Sequence, residues 1–314
     1  MSNSQLAFVF PGQGSQKVGM LAEIAAAYPA IGETFAEASA ALGYDMWKLV
    51  QRGAQEELNL TEKTQPILLT ASVALWRVWQ QRDGSQPSLL AGHSLGEFSA
   101  LVCAGTIRFG DAVKLVRARG QFMQTAVPVG VGAMAAVLGL EDEQIVQICR
   151  EASSAGAVVE AVNFNSPGQI VIAGTVAGVE KAIELCKAAG SKRALPLPVS
   201  APFHTSLMHP AGDKLREAMA ALTFAKPTIP VVHNVDARPE TDPEKIKAVL
   251  FEQIFSPVQW TRCVQYMATQ GITTAVECGP GKVLSGLIKR VDKNINCLGI
   301  EDSAGLDTAL ATLN

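Results

Sequence analysis

The stretch LLAGHSLGEFSAL, residues 89–101, sets one serine between two glycines, straight after a short apolar run and straight before a segment of helical periodicity. A strand that must become a helix within two residues has few solutions. A layered α/β fold with the turn at the carboxyl edge of its sheet is the common one. The glycines of G-H-S-L-G carry that requirement, because side chains there would collide where strand and helix meet. Leu95, Phe98, Leu101 and Val102 recur at helical spacing, so the helix can bury one face and hold the turn rigid. Ser94 then sits in strained backbone with the first N–H groups of a helix aimed at it, where an oxyanion would form. The alternative is a serine that only caps the helix.

The rest of the chain repeats the same grammar. LAFVF (6–10) reads as a strand, helical patterns run over about 21–42 and 65–82, and TIPVVHNV and TTAVECGP read as late strands around a helix at about 257–270. Such alternation indicates α/β architecture with a largely parallel sheet. Residues 132–198 differ: strand, helix, strand, the turn SPGQ, strand, helix, strand, the β-α-β-β-α-β order of a ferredoxin-like split motif. With Pro128 and Pro198 near the crossings, 128–198 reads as a small domain inserted into a larger one made of 1–127 and 199–314. Ligand clefts favour such junctions.

A chain of 314 residues with 48% hydrophobic and 18% charged side chains can bury a sizeable core. Its net charge of −3 supplies no broad basic field, which argues against nucleic acid as a partner. No apolar run approaches the roughly 18 residues of a membrane span, and the N-terminus lacks the pattern of a signal peptide. Cysteines 103, 149, 186, 263, 278 and 297 form no C-x-x-C pair, so reduced thiols are expected rather than a zinc or redox site. A cytoplasmic protein, away from membranes and monomeric, is the expectation.

A nucleophilic serine needs a base, and four histidines are available, at 93, 204, 209 and 233. His93 adjoins the serine within the turn and suits a cleft wall; His233 follows a buried strand and suits the core or its rim. His204 lies in the proline-bracketed loop LPVSAPFHTSLMHP directly after the inserted domain, where a cleft residue belongs. No Asp or Glu between Ser94 and His204 follows a strand of the main sheet, so the acid of a hydrolase triad is not evident.

In GDAVKLVRARGQFMQTAV, Leu115, Val116, Phe122 and Met123 share one helical face, and Arg119 falls near its middle, whereas Arg117 faces the other way toward solvent. An unpaired buried guanidinium costs several kcal/mol, on the order of the penalty for an isolated buried ion. Its partner is therefore either an internal acid or an anionic group arriving with a substrate, held by two parallel N–H···O bonds. The loop FVFPGQGSQKVGM fails the G-x-G-x-x-G pattern at Lys17; it is better read as a turn presenting Gln13 at the carboxyl end of a strand.

Taken together, PGQGSQ, GHSLGEFSAL, RARGQFMQ, NFNSPGQIVIAG, SAPFH, SPVQWTRCV and ECGPGKVLSGL resemble the malonyl-CoA:acyl carrier protein transacylase family, in order and over nearly the whole chain. The resemblance implies an α/β-hydrolase-like domain with a ferredoxin-like insertion. It implies Ser94 as the acyl-accepting nucleophile, His204 as general base and acid, and the backbone carbonyl of Gln253 as what orients the histidine. The oxyanion hole would be the N–H groups of Gln13 and Leu95. Arg119 would bind the free malonyl carboxylate, with Phe203 and His93 beside the acyl group. Malonyl would pass from malonyl-CoA through a malonyl-serine ester to the phosphopantetheine thiol of holo acyl carrier protein, in ping-pong fashion and without metal or cofactor. Because carrier proteins are acidic, Lys192, Arg193, Lys289 and Arg290 are candidates for docking one. An esterase or thioesterase would share the elbow but call for a triad acid and no arginine on the apolar face, and a non-catalytic acyl-binding protein would need none of these residues as a set.

Overall fold

The computed structural model describes residues 2–154, 156–199 and 201–314. Ser200, the first residue of the SAPFH segment, lies outside them.

Among the described residues the large sheet holds β1 (Ser2–Phe10), β2 (Gln86–Gly92), β7 (Val231–Val232), β8 (Thr274–Glu277) and β9 (Asn296–Gly299). Its spatial order is β7-β2-β1-β8-β9, and each neighbouring pair is parallel. A central parallel strand is buried on both faces and so reads as a continuous apolar run. In β1, Leu6, Phe8 and Phe10 enter the principal core while Ala7 and Val9 enter a second cluster behind the sheet. Helix Thr61–Gln81 covers the first face, where Trp76 and Trp79 meet Phe8 edge-on at 5.2 and 5.1 Å.

The second sheet comprises β3 (Gly132–Leu138), β4 (Val159–Ser166), β5 (Gln169–Thr175) and β6 (Arg193–Pro196), in the order β4-β5-β3-β6, with each neighbouring pair antiparallel. Helices Asp142–Ala152 and Val176–Ala188 separate its strands in the chain, which completes a ferredoxin-like arrangement. Alternation along the strands divides its faces. Ala135, Val137, Ile170 and Ile172 pack with residues of the two helices, while Met134, Val162, Val171 and Ala173 join the principal core of the large sheet. The fold is thus an α/β-hydrolase-like unit carrying a ferredoxin-like insertion.

Several elements depart from the sequence expectation. The helix expected over 21–42 is two, Ala22–Ala27 and Pro29–Leu42, because Tyr28 is extended (φ −128°, ψ 101°), as a residue before proline prefers. TIPVVHNV contributes only Val231–Val232 to the sheet. Helix Pro243–Gln253 and strand β9 were not anticipated; the helix proves to matter most, since it ends at the site.

Candidate active site

The site lies at the carboxyl ends of β1, β2 and β7, where parallel sheets gather their ligands. Ser94 follows β2 at φ 51° and ψ −105°, a conformation a side chain rarely adopts, and helix Leu95–Cys103 begins at the next residue. Two glycines make this turn possible. A Cβ on Gly92 would lie 1.9 Å from the carbonyl carbon of Gly96, and one on Gly96 would lie 2.0 Å from the Phe10 carbonyl oxygen. The strain is held in place from outside: Ser94 N–H donates to Asn234 Oδ1 at 2.7 Å, and Asn234 Nδ2 donates to Gly92 O at 2.7 Å.

Ser94 Oγ stands 2.8 Å from His204 Nε2. On the far side of the ring, Nδ1 is 2.9 Å from the backbone carbonyl of Gln253, which can only accept, so Nδ1 carries the proton and Nε2 offers its lone pair to the serine. His204 is buried, with φ at 64°, and its two ring contacts fix it in that strained loop position. Burial drives its pKa down to about 3, with the Arg119 charge adding to the effect, so the imidazole is neutral in neutral solution. The Nδ1 contact that a triad carboxylate would make is made here by a carbonyl at the end of helix Pro243–Gln253.

Arg119 is 1% exposed, as its helical face predicted. Its partners are neutral: Nη1 donates to Gln65 Oε1 at 2.8 Å, and Nη2 to Gln253 Oε1 at 2.8 Å and to Ser94 Oγ at 3.1 Å. Burial lowers its pKa to about 10, opposed by the charge of Glu97, so the guanidinium stays cationic at neutral pH. Arg117, expected in solvent, is instead half-buried, donating to the Leu42 carbonyl and lying over the Tyr44 ring.

These groups surround a cavity of about 130 Å³ between the two sheets, lined also by Gln13, Leu95, His93, Phe203, Met134 and Asn163. Gln13 can approach because its neighbour is glycine; a Cβ on Gly12 would lie 2.5 Å from the His93 carbonyl oxygen. The Leu95 N–H is the first of its helix and has no intrahelical acceptor. His93 Nε2 is 2.8 Å from Asn165 Oδ1 on β4, which ties the cleft wall to the insertion. Lys192, Arg193, Lys289 and Arg290 are exposed and lie outside this cavity.

Sequence reasoning missed Gln65, Asn165, Asn234 and Glu97. Glu97 is fully buried and accepts from His233 Nδ1 (2.7 Å), Asn234 N–H (2.9 Å) and Gln253 Nε2 (2.9 Å). The available signal was a lone carboxylate in the helix LGEFSALVC, whose other residues are apolar or small, so that its burial demands donors.

A strained serine at a strand-to-helix elbow, a neutral histidine on its oxygen and a buried cation beside it fit the acyl-transfer class, and residues 7–303 match the sequence profile of the acyl transferase domain. The chain is an acyltransferase. It is 60% identical to the malonyl CoA-acyl carrier protein transacylase of Salmonella typhimurium over 307 residues, 98% of this chain and 99% of that protein. The crystal structure of malonyl-CoA:acyl carrier protein transacylase from Xanthomonas oryzae superposes with a TM-score of 0.98 at 55% identity, covering 100% of this chain and 99% of that one. A malonyl-transacylase solved in complex with its type II polyketide acyl carrier protein gives 0.97 at 54% identity, over 98% and 99% of the respective chains. The protein belongs to the malonyl-CoA:acyl carrier protein transacylase family.

Proposed function

We propose that the protein transfers malonyl from malonyl-CoA to the phosphopantetheine thiol of holo acyl carrier protein through a malonyl ester on Ser94. The observation that carries this reading is Arg119, a buried cation with only neutral partners, one amino group of which is 3.1 Å from Ser94 Oγ. A malonyl group on that oxygen ends in a carboxylate, the one charge the cavity lacks.

The chemistry follows from the hydrogen bonds. His204 Nε2 takes the Ser94 hydroxyl proton as Oγ attacks the thioester carbonyl. The N–H groups of Leu95 and Gln13 receive the oxyanion. Collapse breaks the C–S bond, and the leaving thiolate of coenzyme A takes the proton from Nε2 and departs as the thiol. The carrier thiol then gives its proton to Nε2, attacks the ester, and returns Ser94 to its hydroxyl form. Phe203 and His93 bound the acyl group, and the Gln253 carbonyl keeps the imidazole in the reactive tautomer throughout. No metal or cofactor enters these steps.

Residues 128–198 act in this reading as the inserted domain and supply the cavity wall formed by Met134, Asn163 and Leu197. The acidic carrier docks at their outer edge. Arg290 donates to Gln169; Gln169 lies opposite Leu138, and Leu138 opposite Arg193, so the two basic pairs share one end of the small sheet. Gln169 also lines a second opening that reaches Gln13 and His93, a path for the pantetheine arm. Among the described residues no helix is long and apolar enough to cross a membrane. All six cysteines are free, which suits the reducing cytoplasm where type II fatty acid synthesis would use a monomeric enzyme of this kind.

Intact-mass measurement tests the reading. Malonyl-CoA should leave a malonyl adduct that is absent from Ser94→Ala and is discharged faster by holo carrier protein than by water. Discharge by water alone at the same rate would identify a hydrolase instead.

A further inference from the structure

Gln253 is the point at which the site's parts meet. Its backbone carbonyl holds His204, its Oε1 accepts from Arg119, and its Nε2 donates to Glu97 Oε2 at 2.9 Å and to the Ser94 carbonyl at 3.0 Å. An amide normally has two orientations of similar cost, but not here. A guanidinium can only donate and an ionised carboxylate can only accept, so Arg119 and Glu97 together permit one. Glu97 also accepts from the backbone of Asn234, whose side chain clamps the elbow on both sides of His93.

The arrangement bears on the charge of Arg119. A carboxylate in direct contact would neutralise the guanidinium and occupy the face a substrate carboxylate needs. With the Gln253 amide interposed, the buried negative charge supports the buried positive one from one amide away, while the guanidinium edge near Ser94 stays free of any acid.

We infer that Glu97 is a positioning residue for acyl selectivity: acting through the Gln253 amide, it holds Arg119 in the orientation that recognises an acyl carboxylate. This rests on the proposed malonyl transfer. His233 is part of the same device, since its Nδ1–H occupies the other carboxylate oxygen at 2.7 Å and stops Glu97 from turning away. In Glu97→Leu the Gln253 amide loses its carboxylate acceptor and keeps only the Ser94 carbonyl for Nε2, so the side chain that positions Arg119 is held by one anchor instead of two. The guanidinium, which rests on that amide, can then shift from the place that faces an acyl carboxylate.

The test is single-turnover acylation of Ser94, followed by intact mass, from malonyl-CoA and separately from acetyl-CoA, in wild type, Glu97→Leu and Glu97→Asp. The second variant keeps the charge but shortens its reach by one methylene, which withdraws the anchor from Gln253, and it decides the matter alone if Glu97→Leu does not fold. Misplacing Arg119 should slow malonyl loading roughly 100-fold, the order expected of a 1 Å error at a reacting centre. Acetyl, which makes no use of the cation, should slow far less, so the malonyl-to-acetyl ratio should fall at least about tenfold in both variants. Equal losses with the two acyl groups would mean that Glu97 only stabilises the fold, and unchanged rates would deny it any role; either result overturns the inference. If wild type itself forms no malonyl ester at Ser94, malonyl transfer is the reading that fails, and this one falls with it.

Discussion

Replacing Arg119 with alanine tests whether the buried cation selects the acyl group. The side chain is 1% exposed and is held by Gln65, Gln253 and Ser94, so it is already aimed before substrate arrives. Removing one partner of a buried charge pair costs about 3 to 5 kcal/mol. At about 1.4 kcal/mol per tenfold in rate, Arg119→Ala should lower kcat/KM for malonyl loading by roughly 100-fold to 4,000-fold. Acetyl-CoA has no carboxylate to lose a partner, and for it the deletion removes an uncompensated charge beside the acyl pocket. Acetyl loading should stay within about tenfold of wild type, because His204 and the oxyanion donors keep their places and Ser94 loses only its 3.1 Å contact with Arg119. Gln65 Oε1 and Gln253 Oε1 each lose a donor, a cost of about 1–3 kcal/mol per group that should appear as a lowered melting temperature for the variant. Arg119→Lys keeps the charge but cannot span both glutamines, so it should recover only part of the malonyl rate. The assay is acylation of Ser94 followed by mass with each thioester in turn. An alanine variant that still prefers malonyl would refute the assignment, and the carboxylate would have to be bound elsewhere.

Other expectations are as direct. Gly96→Ala drives a Cβ to 2.0 Å from the Phe10 carbonyl, so the elbow must open; we expect a loss of about 4 kcal/mol or more in chemical denaturation, and near-wild-type stability would mean the turn is more yielding than its contacts imply. His204 titrates at about 3 in the fold against 6.5 unprotected, so between those values the unfolded chain binds a proton the folded one refuses. Its contribution to stability is therefore whole above pH 6.5 and is lost as pH falls toward 3. For the same reason the pH profile of kcat/KM for malonyl loading should show no acid limb centred near 6.5, and an inflection there would contradict the desolvation of the ring. Charge reversal at Lys192 and Arg193, or at Lys289 and Arg290, should raise KM for the carrier while leaving malonyl loading from coenzyme A unchanged; equal KM values would place the docking surface elsewhere.

Features that depend on neighbours in the chain could be read before any folding was known. Ser94 was legible because strand, glycine, serine, glycine and helix fall within a few residues, and backbone strain is a local property. The insertion was legible because its strands and helices follow one another without interruption, and the burial of Arg119 because helical periodicity reports a face. The partners of those residues were decided only in three dimensions. Arg119 meets Gln65 and Gln253 across 54 and 134 positions of chain, and Glu97 meets His233 across 136. A glutamine carries no periodic or compositional signal of such a role, and helix Pro243–Gln253 itself was not expected. The residues alone left Arg119 paired with an internal acid or a substrate anion and offered no acid for His204, whose Gln253 carbonyl only the family resemblance implied. Sheet order and helix docking instead bring a single amide between cation and carboxylate, and a single carbonyl behind the base. Hydrogen bonds need atoms within about 3 Å, a condition that only the packed chain can set.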